Sequence, residues 1–198
     1  MITRTEFQEI IKLDGQVRGS ALNTDAAYVE SQEGRAALHR VETTFQTMGY
    51  PLQYTKINSM GWYPVCLRVL SLRLIQDVLM LDEAGLRTMG DAAPKFSFLV
   101  RVGVNLPLLP AAFTKKIPGY WRRHYRVGEL WASEMNGQER SLRLQLRNFR
   151  LHPVLCRYFE GYFGRLLQFG FADQQVECRE TKCVYEGDAC HEYELSWQ

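Results

Sequence analysis

The chain has 198 residues, 46% hydrophobic and 23% charged, which is the composition of one globular core and excludes a disordered chain. Lysine and arginine number 24 against 22 aspartates and glutamates, a balance that disfavours a general polyanion-binding role. Arg4, Glu6 and Glu9 interrupt the apolar run that a signal peptide requires, so the expected location is the cytoplasm.

Residues 1–48 read as a helical N-terminal region with a possible role in dimerisation. A short helix over residues 5–13 is broken by Asp14-Gly15. Asn23 or Thr24 is placed to cap a helix running to Gln32, and a second helix over residues 33–48 sets Ala36, Ala37, Val41 and Phe45 toward a partner before Gly49-Tyr50-Pro51 stops it. Residues 49–198 form the rest of the domain, opening with a short strand over residues 53–58. Pro64 then leads into the most apolar stretch, residues 65–81, interrupted only by Arg68, Ser71, Arg73, Gln76 and Asp77. It is too charged to span a membrane and reads as the central buried helix, with Cys66 a core residue.

A helix over residues 83–89 is expected to stop at Gly90. Another, over residues 95–105, presents Phe96, Leu99, Val100, Val102 and Val104, and a proline-punctuated loop follows to Pro110. Lys115-Lys116 and Arg122-Arg123-His124-Tyr125-Arg126, interleaved with Tyr120 and Trp121, make a basic-aromatic cluster of the kind that binds phosphates. The alternative, given more weight, is a solvated face whose Trp121 and Tyr125 turn inward; nucleic acid is not an expected partner. Residues 129–135 and 141–149 alternate with the strand period around Asn136-Gly137, a strong hairpin signal, and Leu142, Leu144 and Leu146 share a face.

The last fifty residues hold four of the five cysteines. From His152 to Gln168, Leu155, Tyr158, Phe159, Tyr162, Phe163, Leu166 and Leu167 recur at spacings of three and four, giving a helix with a broad apolar stripe and Cys156 one turn in. Residues 174–183 and 190–197 form two strands around Glu186-Gly187-Asp188, the second pointing Tyr193, Leu195 and Trp197 to one face. Cys156, Cys178, Cys183 and Cys190 permit a tetrahedral zinc site, with Glu180 an alternative oxygen ligand. Cys178 and Cys183 have opposite strand parity, so both reach one ion only if the strand ends or bulges between them. The competing reading is reduced cysteines buried as small hydrophobes. The predicted fold class is α+β: a single domain, helices packed on an antiparallel sheet of about four strands.

Cys156, Gly161-Tyr162, Phe163-Gly164-Arg165, Val176-Glu177-Cys178, Glu180, Cys183, Gly187 and Cys190 before an alternating strand together resemble the 4-vinyl-reductase-type small-molecule-binding domain. That family supplies the sensory halves of phenol- and xylene-responsive activators. It is related to the superfamily of haem nitric-oxide-binding and vesicle-tethering proteins. The resemblance implies structural zinc on Cys156, Glu180, Cys183 and Cys190, with Cys178 able to replace Glu180. It also implies a homodimer through the N-terminal helices, a small hydrophobic or aromatic ligand, and a signalling partner protein.

No catalytic motif accompanies these features: His39, His124, His152 and His191 are scattered, and phosphate loops and nucleophile elbows are absent, so a non-enzymatic role is expected. The first reading is a sensory domain with an apolar pocket, for which Phe98, Val102, Trp121, Trp131, Tyr158 and Tyr162 are candidates. The alternatives are an interaction or scaffold protein with a filled core and a haem-based gas sensor. The last requires a proximal histidine on a helix, for which His39, His124 and His152 are available.

Overall fold

The Thr3 hydroxyl accepts from the Glu6 N–H while the Glu6 carboxylate accepts from the Thr3 N–H, a reciprocal cap that fixes the start of α1, Arg4–Ile10. The computed structural model describes residues 1–96, 110–133, 138–171 and 174–198. Past the break at Asp14-Gly15, β1 (Gln16–Arg18) pairs antiparallel with β2 (Trp62–Pro64), two strands too short to leave a period-two signature in the sequence.

Helix α2, Gly19–Thr47, begins earlier than the expected caps because neither is used as one. Asn23 donates to the Ile57 carbonyl and Ser59, and Thr24 donates back to the Ser20 carbonyl. Gly34, with φ 74° and ψ −178°, divides it into the two helical segments the sequence suggests. Ala37, Leu38, Val41 and Phe45 are buried in the chain's own core, which accounts for the apolar face that the sequence assigned to a partner, while Ala36 is exposed. The expected strand over residues 53–58 is instead a 3₁₀ turn, Tyr54–Lys56, pinned by the Tyr54 hydroxyl on Ser71 (2.8 Å) and the Tyr54 N–H on Glu42. Helix α3, Val65–Leu79, is the central buried helix and ends at Met80 in a left-handed conformation.

Helix α4, Glu83–Phe96, runs through Gly90, where the sequence predicted a stop. The glycine is there for packing: a Cβ on it would lie 1.9 Å from the Tyr158 carbonyl oxygen of α6 (Val154–Gln168), and one on Gly161 would lie 1.9 Å from the Arg87 carbonyl of α4. Two backbones therefore touch with no side chain between them. Helix α5 is Pro110–His124. The expected helix over residues 95–105, with Phe98 and Val102, lies almost wholly outside the described residues, as does the Asn136-Gly137 turn.

The second sheet has the order β3-β4-β6-β5, all antiparallel, from β3 (Glu129–Ala132), β4 (Ser141–Arg147), β5 (Val176–Lys182) and β6 (His191–Trp197). Leu142 pairs with Leu195 and Leu144 with Tyr193, so the alternating residues read from the sequence make one buried face, and Phe163 of α6 packs on Tyr193 at 5.1 Å. Arg143 and Glu194 pair on the opposite, solvated face. The architecture is the expected α+β single domain. Among the described residues no helix is long and apolar enough to cross a membrane.

Gly161→Ala should separate α4 from α6 and cost about 3 kcal/mol, the upper range for overpacking. Gly119→Ala, in α5 with open space around it, should be neutral or stabilise by up to about 1 kcal/mol. Urea denaturation of the two variants measures the difference, and equal stabilities would contradict the backbone contact.

Candidate functional site

The end of α5 turns aromatic side chains inward. Trp121 stacks on Tyr125 (4.4 Å between centroids), and its indole N–H donates to the Val127 and Gly128 carbonyls. Phe159 of α6 sits at the centre of the cluster, with Trp121, Tyr125, Phe149, Tyr158 and Phe163 between 5.3 and 6.1 Å away. Tyr158 and Tyr162 continue the layer, the Tyr162 hydroxyl meeting that of Tyr120 at 2.7 Å.

Inside this apolar shell lies a polar centre. Arg68 of α3 is 1% exposed, ion-paired with the fully buried Asp25 of α2, and its guanidinium lies 4.6 Å from the centroid of the Tyr158 ring. Asp25 also accepts from Ser71, which meets the Tyr54 hydroxyl. His124 is buried with its Nδ1 3.1 Å from the Tyr120 carbonyl, so Nδ1 carries the hydrogen and Nε2 the lone pair. Burial, reinforced by the charges of Arg18 and Arg123, holds its pKa below the usual histidine value.

Asp25 Oδ1 is met by the Arg68 ion pair, while among the described residues Ser20 Oγ, Arg68 Nε and His124 Nε2 are buried at this centre without a hydrogen-bond partner. All three residues line one small cavity of about 20 Å³, walled by Tyr125, Tyr158, Phe159 and Tyr162. Buried polar groups are ordinarily satisfied, so three orphans around one space mark it as a place for a polar guest. Of the pocket candidates, Tyr158 and Tyr162 line this cavity and Trp121 packs just behind it. Trp131 is not part of it: 49% exposed, it lies on the outer face of the sheet near Arg147. Phe98 and Val102 lie outside the described residues. Sequence reading missed Arg68, Asp25 and Ser20; an arginine in mid-helix among apolar residues was the available signal for the first.

The cysteine region gathers a different set from the one expected. Ligand atoms of Cys156, Glu180, Cys183 and His191 all lie within 4.8 Å of one another. The Cys156 and Cys183 sulfurs are 3.8 Å apart, and His191 Nδ1 is 3.9 Å from Cys156 and 2.8 Å from Glu180. His191 Nε2 faces the Phe149 carbonyl at 3.0 Å. An irregularity in β5 between Glu180 and Lys182 turns Cys183 inward. Cys178, buried against Gly164 of α6, and the half-buried Cys190 stand outside this group. Burial, with Glu180 and Cys183 adjacent, pushes the Cys156 thiol above its usual pKa.

No protein-family model matches the sequence, and no curated protein matches it. Solved structures do. An H-NOX protein from S. oneidensis in the Fe(II)NO ligation state superposes with a TM-score of 0.69 at 12% identity, covering 91% of this chain and 99% of that one. The Fe(II) unliganded H-NOX protein from K. algicida gives 0.66 at 12% identity, over 91% and 96%. A structure named for modulating haem redox potential through protein-induced porphyrin distortion gives 0.61 at 10%, over 91% and 99%. The chain shares the fold of these H-NOX structures. None of these three is a 4-vinyl-reductase domain or a phenol sensor. The comparison corrects the expected zinc: these neighbours are named for iron and haem, and the group that gathers, Cys156, Glu180, Cys183 and His191, leaves out Cys178 and Cys190 of the expected ligand set.

Removing Asp25 leaves Arg68 as an uncompensated buried cation, so Asp25→Ala should cost about 3–5 kcal/mol, and Arg68→Met combined with it should restore part of the loss. Restoration measured by denaturation is the check. The depressed His124 pKa gives a second test. The unfolded imidazole binds a proton more readily than the folded one, so the His124 contribution to stability is full above pH about 6.5 and declines below it. His124→Gln should flatten the fall in melting temperature between neutral and mildly acidic pH, while half-buried His152, whose pKa is likewise lowered by burial, retains its share of the slope.

Proposed function

We propose that this chain is a non-enzymatic ligand-binding sensory domain whose guest is held between α2, α3, α5 and α6, and that haem-based gas sensing is the reading with most support. The observation that carries it is His124, which lines an internal cavity and whose buried Nε2 has no partner among the described residues, in a chain with the H-NOX fold. A haem iron takes a neutral imidazole nitrogen as its axial ligand, and the donor chemistry of this site fits that need. His124 donates Nδ1–H to the Tyr120 carbonyl, which fixes the ring and leaves the Nε2 lone pair inward. The other histidines are less suited: His39 is exposed, His152 Nε2 faces Glu6, and both nitrogens of His191 are engaged. Haem would supply an iron with an open position for a diatomic gas. Arg68 and Ser20 would supply polar contacts, and the aromatic wall would exclude water.

Space is the counterweight. A cavity of about 20 Å³ holds a water molecule, so a haem or a small aromatic molecule must displace side chains that now fill the interior, Tyr158 and Tyr162 among them. An interior this full among the described residues favours a second reading, a filled interaction domain that signals through its surface alone. A small hydrophobic ligand makes the same demand for room and leaves the three orphaned polar atoms unexplained.

Expression with a supplied haem precursor distinguishes these readings. Haem sensing predicts a Soret band in the purified protein that shifts with carbon monoxide or nitric oxide, quenched tryptophan fluorescence from Trp121, and loss of the band in His124→Gln with an unchanged circular dichroism spectrum. A colourless protein whose melting temperature and fluorescence ignore added haem would reject haem sensing and leave the filled domain.

A further inference from the structure

The basic residues at the end of α5 are joined by two residues remote in sequence. Arg18 of β1 and Arg126 both lie over the Trp62 ring of β2, 3.8 and 4.1 Å from its centroid. Arg18 also donates to the Arg123 and Met60 carbonyls at 3.0 and 2.7 Å, and Arg126 to Gln16 Oε1 at 2.9 Å. An indole and neutral oxygens thus fix two guanidiniums without neutralising either. Arg122 and Arg123 stand exposed on the adjoining turn of α5. Among the described residues, none of these four arginines has a carboxylate within ion-pair distance, although arginines elsewhere in the fold do.

Beside them an open groove of about 490 Å³ runs between Arg122, Arg126, Gly128 and Asn148. Its one acid, Glu129, turns its carboxylate to the Trp131 indole N–H. Helix-end cations are commonly explained by the helix dipole, and Arg122 and Arg123 satisfy that rule. Arg18 and Arg126 do not belong to the helix, and their stacking on one ring brings two like charges together at a cost that a bound anion removes.

We infer that this surface docks a short acidic segment of a partner protein. Guanidinium forks pair with carboxylates through two parallel hydrogen bonds, and arginines already held by stacking lose little freedom on pairing. A protein partner is favoured over nucleic acid because the positive charge is local: the chain as a whole carries only +2, without the extended field that follows a phosphate backbone.

The test is fluorescence anisotropy of the full chain with a labelled oligoglutamate peptide at low and physiological salt, beside a labelled single-stranded oligonucleotide. Saturable peptide binding, weakened by at least about tenfold in Arg122→Gln/Arg126→Gln and in the wholly exposed pair Arg122→Gln/Arg123→Gln, is expected. Arg179→Gln, an exposed arginine of β5, should bind as the parent does. Melting temperatures of all variants establish that they fold. Absent peptide binding, or binding indifferent to both arginine pairs, overturns the inference. Tighter oligonucleotide binding that depends on the same arginines overturns it in favour of a nucleic-acid surface.

Discussion

A guanidinium sealed from water is the constraint on which the interior depends. Moving a charge out of water costs several kcal/mol unless a partner and hydrogen bonds replace the lost solvation. For Arg68 the replacement is assembled from four places. Asp25 comes from α2, the Tyr158 ring from α6, the Ala21 carbonyl from the first turns of α2, and Ser71 with Tyr54 completes the second oxygen of Asp25. The full set of these contacts requires α2, α3, α6 and the 3₁₀ turn to be packed in one arrangement. The pair is therefore better understood as selecting that arrangement than as adding net stability to it.

Helix α6 carries the consequences. Gly90 and Gly161 let its backbone rest on α4, which sets the depth at which its side chains enter the core. At that depth Tyr158 reaches Arg68 while Phe163 reaches the sheet at Tyr193. Cys156, less than one turn before Tyr158, points instead to Cys183 and His191. One helix thus borders two unlike polar groups: an ionic centre on one side, and a cluster of thiols, imidazole and carboxylate flanked by Tyr185 and Tyr193 on the other. Among the described residues the first sets an unpartnered hydroxyl, guanidinium nitrogen and imidazole nitrogen on residues that line one cavity, which is why the candidate site lies there.

The sheet and α6 were legible because their signals are periodic. Leu142, Leu144 and Leu146 alternate, and the aromatic stripe of α6 recurs every three or four residues. The short β1–β2 pairing was not legible, since three residues do not establish a period. Gly90 misled for a definite reason: glycine marks either a helix end or a close backbone approach, and sequence alone does not separate the two. His191 was legible but unread. The alternation that sets Tyr193, Leu195 and Trp197 inward also sets His191 inward and Cys190 away, so the strand period itself favoured the histidine over the cysteine as a member of the buried group. Arg68 was read as an interruption of an apolar helix because single-residue hydropathy carries no information about a partner 43 residues earlier.

The last turn of α5 joins the interior to the surface. Trp121, His124 and Tyr125 are buried while Arg122, Arg123 and Arg126 are exposed, so adjacent residues on one short segment face opposite environments. The connection is electrostatic as well as covalent. Burial is the main reason that His124 disfavours its charged form, and the positive charges of Arg18 and Arg123 act in the same direction. Neutralising those arginines from outside would ease the protonation of the imidazole inside; conversely, any guest that engages His124 Nε2 fixes the neutral ring that the arginines already favour.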